Sequence, residues 1–191
     1  MRILLLGLVI FFGGHSVSIV SDAWRDRMAA KMGEWEWKAL YSLVALVGVV
    51  LIAWGYGLAR HDPVPVYAPP EWLRSVAMLL LIPVFPLLLA TYLPGRIRAA
   101  AKHPMLAATQ LWAFAHLLAN GTLADLLLFG TFLAWAVADR LSMAHRTQRP
   151  VPALPASRAN DLVAVAAGLA LWAAFILWLH GWLIGVPLRP D

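Results

Sequence analysis

Between Lys38 and Arg60 the chain reads KALYSLVALVGVVLIAWGYGLAR, and no charged side chain falls between those two residues. An apolar run of that length has few places to go. A helix of about 20 mostly apolar residues spans the ~30 Å hydrocarbon core of a bilayer, whereas helices on the surface of a water-soluble domain carry a polar face. Comparable runs recur at 3–20, 73–93, 104–120, 122–140 and 161–183, which together with 38–58 predicts six transmembrane helices. The expected fold class is all-α: a polytopic membrane helical bundle, one transmembrane domain over residues 1–191.

Composition points the same way. Of 191 residues 62% are hydrophobic and 13% charged, with a mean hydropathy of +0.74; a soluble domain carries roughly 25% charged residues. That leaves too little polar surface to cover a globule in water, and membrane lipid becomes the expected partner. There is no cysteine, which excludes disulfides, thiolate-held metal and covalently attached c-type haem. The net charge of +5 reads as basic loops facing the cytoplasm and not as a nucleic-acid surface. Arg2 and the apolar run to Phe12 have the look of a secretory signal. No small-x-small cleavage site follows, so a retained helix is expected.

The loops orient the bundle. Arg25, Arg27, Lys31 and Lys38 lie in 22–38, Arg96, Arg98 and Lys102 in 94–103, and Arg146, Arg149 and Arg158 in 141–160 with Arg140 at its edge. These eleven basic residues share one side, against Arg2, Arg60, Arg74 and Arg189 on the other. The bias places both termini outside and the basic loops in the cytoplasm. Pro83 and Pro86 should kink the third span, which a bilayer helix tolerates when neighbours satisfy the freed carbonyls. Only Ala119-Asn120-Gly121 separates the fourth and fifth spans, a tight hairpin in which Gly after Asn suits a helix C-cap.

Polar residues at membrane depth are costly and therefore candidates for function. Carboxylates are nearly absent there: Asp22, Asp26, Glu34, Glu36, Asp62, Glu71, Asp161 and Asp191 fall at span ends or in loops. Asp125 and Asp139 sit near opposite ends of the fifth span, Asp125 where an acid caps the first turn. No carboxylate pair is available for a proton pump or a bridged di-metal site. Histidine is better supplied. His15, His116 and His180 lie within spans, His103 opens the fourth, and His61 and His145 are loop residues. Imidazole without thiolate and with few carboxylates suits haem iron better than a hard cation. His180, flanked by Trp178 and Trp182, fits an interfacial aromatic belt. His103, before Pro104, either ligates or faces head groups. His15 follows Gly13-Gly14, which permits close approach of a flat ligand or of another helix.

His116 lies in QLWAFAHLLANG, residues 110–121. Its helical face reads Thr109, Ala113, His116, Asn120, with Trp112 on the adjoining flank one turn earlier. A histidine over small and polar side chains has room for a ligand or for a neighbouring helix.

Four blocks in order, FFGGHS, KHPM, LWAFAHLLANG and LFGTFLAWAVADR, together resemble the NnrU family of bacterial integral membrane proteins and, more distantly, the zeta-carotene isomerases. The isomerases are haem b enzymes with histidine axial ligands, and those ligands align with His15 and His116. The resemblance therefore implies bis-histidine haem b on these two residues, with His103 matching a further family histidine thirteen positions before His116. Trp112, Ala113 and Asn120, on or beside the His116 face, are then the expected neighbours of the cofactor. The isomerases carry a cysteine where this chain has Ala113, so their ligand-switch route lacks that group here. The bacterial branch is associated by name with denitrification, which implies redox or nitrite and nitric oxide metabolism in the inner (cytoplasmic) membrane, with an electron donor or a small apolar substrate as partner. Alternatives are a haem-dependent, isomerase-like enzyme acting on an apolar lipid-dissolved substrate such as a carotenoid, and a haem-free small transporter or assembly factor. If haem reaches the cytoplasmic face, Arg25, Arg96 and Arg98 either pair with its propionates or serve topology alone.

The pair passes a depth test. His15 lies about 6 Å past the middle of an inward-running span and His116 about 6 Å past the middle of an outward-running one, a Cα offset of about 12 Å. Helical side chains lean toward their own N-terminus, so both imidazoles lean toward the bilayer midplane.

Overall fold

In the computed structural model residues 1–147 and 149–188 are described, and every regular element among them is helical. Arg189 and Asp191, assigned above to the outer side and a span end, lie outside the described residues. The helices are α1 (Arg2–His15), α2 (Val17–Val20), α3 (Asp22–Met32), α4 (Glu34–Ala59), α5 (Trp72–Leu81), α6 (Val84–Ala90), α7 (Arg96–Ala101), α8 (Pro104–Ala119), α9 (Leu123–Ser142) and α10 (Asn160–Ala174). A π-helical turn, Phe175–Leu179, joins α10 to α11 (His180–Ile184).

Three stretches are long and apolar enough to cross a membrane: Glu34–Ala59, Trp72–Ala90 and Asn160–Ile184. The other three expected spans fall short for physical reasons. The first breaks at Ser16, leaving α1 with 14 residues, and α8 has 16. α9 has 20 residues but carries Asp125, Asp139 and Arg140. Two segments expected as loops contain helices. Ser21 caps α3 by accepting from the Trp24 amide (3.3 Å), and the short α7 lies within 94–103.

The chain divides into two compact units. In the first (Met1–Pro70 and His116–Gln148), α1 packs along α4, and both meet α9. Glycine permits the first contact. A Cβ on Gly7 would stand 2.6 Å from the Ile52 amide nitrogen, and one on Gly48 2.8 Å from the Phe11 Cβ. A Cβ on Gly55 would collide with the backbone of Ile3 and Leu4. α4 accordingly buries Gly48, Ile52, Gly55 and Ala59 and turns Leu43, Leu46, Val50 and Trp54 outward. Large apolar residues outside and small ones inside invert the water-soluble pattern. Together with the three long apolar helices they mark a membrane protein.

The second unit comprises Glu71–Ala115 and Arg149–Asp191. Pro83 interrupts its first long stretch, α5 ending at Leu81 and α6 beginning at Val84, a sharper effect than the expected kink, while Pro86 lies within the first turn of α6. α10 packs on α6, where a Cβ on Gly168 would lie 2.5 Å from the Pro86 nitrogen. Asp161 caps α7, accepting from the amides of Arg96 (2.9 Å) and Ile97 (3.0 Å). Asn160 donates to the carbonyls of Pro94 (2.8 Å) and Pro155 (3.1 Å).

Candidate functional site

α9 presents a continuous inward stripe to the first unit: Asp125, Leu128, Phe129, Phe132, Trp135, Ala136 and Asp139 recur at intervals of three and four, the spacing of one helical face. His15 and His116, the two histidines of this unit expected at membrane depth, both pack on it. His116 stacks on Phe129, ring centroids 4.5 Å apart at 27°. His15 meets Trp135 edge-on, 5.6 Å apart at 88°. Those two contact residues are six positions apart, about 9 Å along the helix.

His15 ends α1, and its ring folds back along that helix. Nδ1 lies 2.8 Å from the Phe11 carbonyl, and the imidazole stacks on the Phe11 ring at 3.9 Å. The backward lean is the one expected of a helical side chain. A carbonyl oxygen only accepts, so Nδ1 carries the proton and Nε2 keeps the lone pair. No hydrogen bond reaches that Nε2 among the described residues. Tyr41 (5.1 Å) closes another side of the ring. Phe12 and Phe132 pack together (4.8 Å) below it on the α9 face.

Asn120, third of the polar positions on the α8 face, is spent locally: its amide donates to the His116 carbonyl at 2.9 Å. The hairpin glycine works differently from the expectation. Gly121 does not adopt the left-handed C-cap conformation, since positive φ among glycines is confined to Gly33 and Gly185 in the described chain. Instead the 64–67 segment lies against it as a short antiparallel bridge, Pro65 opposite Thr122. Val66 and Tyr67 donate to the Gly121 carbonyl (2.8 and 3.1 Å), and Leu123 to Val64 (2.8 Å). A Cβ on Gly121 would strike the Tyr67 carbonyl. The Tyr67 hydroxyl donates to the carbonyls of Leu117 and of Asn120, the latter at 2.6 Å. Burial and the nearby Asp125 carboxylate push this phenol above its ordinary value.

Asp125 caps α9 as the sequence predicts, within a full capping box with Thr122. Its other oxygen accepts from the Tyr56 hydroxyl of α4 at 2.6 Å, a partner no sequence signal announces. At the far end Asp139 accepts from Arg146 at 2.6 Å with both side chains shielded. Sequence reading missed this pair as well.

The remaining candidates, His103, Trp112 and Ala113, belong to the second unit. His103 follows a tight three-residue turn in which its amide bonds Ala101 (2.7 Å) and Lys102 takes a φ of +60°, a strained arrangement for a side chain-bearing residue. Ala113 is fully buried. His180 donates from Nδ1 to Val186 (2.7 Å) after the π-turn. Of the arginines, Arg25 pairs with Asp26 (3.1 Å).

Among the described residues no group of three or more His, Asp or Glu side chains converges as a free metal ion requires. Haem asks less of a chain, because its porphyrin supplies four ligands and the protein only axial ones. A histidine whose Nδ1–H is held by a carbonyl is oriented as metal-bound imidazoles are. The first unit therefore has a donor set that fits haem.

Helices of this length and polarity, with histidines held against an aromatic face, define a polytopic membrane protein with imidazole donors. The chain belongs to the NnrU family: the family model described as NnrU protein matches residues 3–188, nearly its full length. No curated protein and no solved structure matches it.

Proposed function

We propose that the protein is a haem b-binding protein of the bacterial inner membrane, with six spans and both termini outside, in which His15 and His116 are the axial ligands. The observation that carries this reading is the His15 tether: Nδ1–H on Phe11 turns the lone pair of Nε2 away from its own helix. His116 supports it from the same α9 face through its stack on Phe129. Haem b held by His15 and His116 would supply one-electron chemistry and affinity for nitric oxide. The residues' own work is binding and exclusion. Phe11 and Trp135 pack on the His15 ring and Phe129 on the His116 ring, giving both imidazoles aromatic surroundings. Asp125 and Asp139 hold the ends of the helix on which both rings rest.

The biological role that goes with this is redox or nitrite- and nitric-oxide-linked metabolism, with an electron donor or a small apolar substrate as partner. The isomerase-like reading stands behind it, because Ala113 offers no ligand atom. Absorption spectra of the protein purified in mild detergent and supplied with haem, oxidised and reduced, test the proposal. Wild type should give a low-spin bis-histidine spectrum, and His15→Ala and His116→Ala should each abolish or convert it. A wild type that takes up no haem sinks the reading; a spectrum indifferent to both substitutions rejects the ligands and keeps the cofactor.

A further inference from the structure

Trp135 is the residue of the first unit that the haem reading leaves unexplained. Its indole Nε1 is buried and meets no acceptor among the described residues. An indole nitrogen only donates, and buried donors without an acceptor are rare enough in folded proteins to need a cause. The ring stands edge-on to His15 (5.6 Å, 88°) and tilted against Phe12 (5.7 Å). One turn further along the same face of α9, Asp139 pairs at 2.6 Å with Arg146, which lies in the segment after the helix. The missing acceptor therefore belongs beside the proposed ligand, toward the end of α9 where Arg146 supplies a cation.

We propose that Trp135 donates this hydrogen bond to a propionate carboxylate of bound haem, an inference that rests on the haem reading above. Haem has few acceptors to offer. With its ring nitrogens engaged by iron and the iron held by His15 and His116, haem would have its carboxylates left as acceptors. These are also the part of haem that hydrocarbon repels most strongly, and the Arg146 end of α9 offers them both a donor and positive charge. A guanidinium has five N–H groups, enough to serve Asp139 and a second carboxylate.

The test titrates wild type and Trp135→Phe in detergent with haemin and with haemin dimethyl ester, whose carboxylates are esterified. A hydrogen bond to a charged acceptor corresponds to roughly 10- to 100-fold in Kd. Trp135→Phe should bind haemin weaker by about that factor, with the same bis-histidine spectrum, and the two proteins should bind the diester alike. Equal haemin affinity overturns the proposal and leaves the N–H against the His15 ring. A Trp135→Phe defect of equal size with both porphyrins also overturns it, because it reports lost packing. If the variant does not fold, wild type alone decides: equal affinity for haemin and its diester removes the carboxylate from the interaction. A wild type that binds neither porphyrin fails the haem reading itself, a result distinct from the others.

Discussion

Arg146 and Asp139 pair across the C-terminal end of α9 with side chains only 12% and 8% exposed. Two charges withdrawn this far from water hold each other at a desolvation cost, and removing one strands the other. Arg146→Met should therefore lower stability by about 3 kcal/mol, read as a lower melting temperature in detergent, while Asp139→Asn/Arg146→Met together should recover most of the loss. A double variant no better than Arg146→Met would show that the pair is not the unit that matters. This pair was not legible in the sequence. Asp139 reads as a span-end acid and Arg146 as one of eleven basic residues on its side. Their meeting depends on how the chain turns after Ser142, where Ala144 and His145 bond back to Leu141 and Ser142. Asp125 was legible, because an acid three residues after Thr122 is a local capping signal. Its bond to Tyr56 was not, since that depends on the register of α4 against α9.

Among the elements, α1 and α4 are joined backbone to backbone. Gly7, Gly48 and Gly55 leave no room for a Cβ, whereas Gly57 faces nothing within 4 Å. Gly7→Val should force the helices apart at a cost of roughly 1–3 kcal/mol and, because His15 ends α1, should also weaken haem uptake. Gly57→Ala serves as the control and should change neither the melting temperature nor the haemin titration. A Gly7→Val protein with wild-type stability would show that the contact is looser than it looks. Apolar run length located the three long helical stretches, and Pro83 announced the break in one of them. α3 and α7 were hidden by their charges: Arg25, Arg27 and Lys31 carry a strong topological signal that says nothing about backbone conformation. Gly121 was assigned a conformational task and performs a steric one, because the segment that crowds it lies some fifty residues away in sequence.

For the molecule as a whole, the proposed orientation is testable without removing any native thiol, because the chain has no cysteine. Asp62→Cys and Ala156→Cys both put a thiol at an exposed position. With six spans and outer termini, a membrane-impermeant maleimide applied to spheroplasts should label Asp62→Cys, and Ala156→Cys only after the membrane is opened. The reverse pattern overturns the orientation, and labelling of both from one side overturns the number of crossings between them. His15 and His116 stood out from the sequence because imidazole is expensive in an apolar run expected to cross a membrane. The surface they share did not, since Phe129, Phe132 and Trp135 look like ordinary apolar filling until α9 is laid against α1.

That shared surface sets an order of assembly. α1 and α4 hold the glycines of their contact within the first 59 residues, so they can pair as soon as both are inserted. A nascent chain extended to Asn120 already contains both imidazoles, but it lacks the helix on which they rest. Only once Leu123–Ser142 has been made and inserted do the two imidazoles gain a common support, so their alignment is a late event in biogenesis although His15 is made well before that helix.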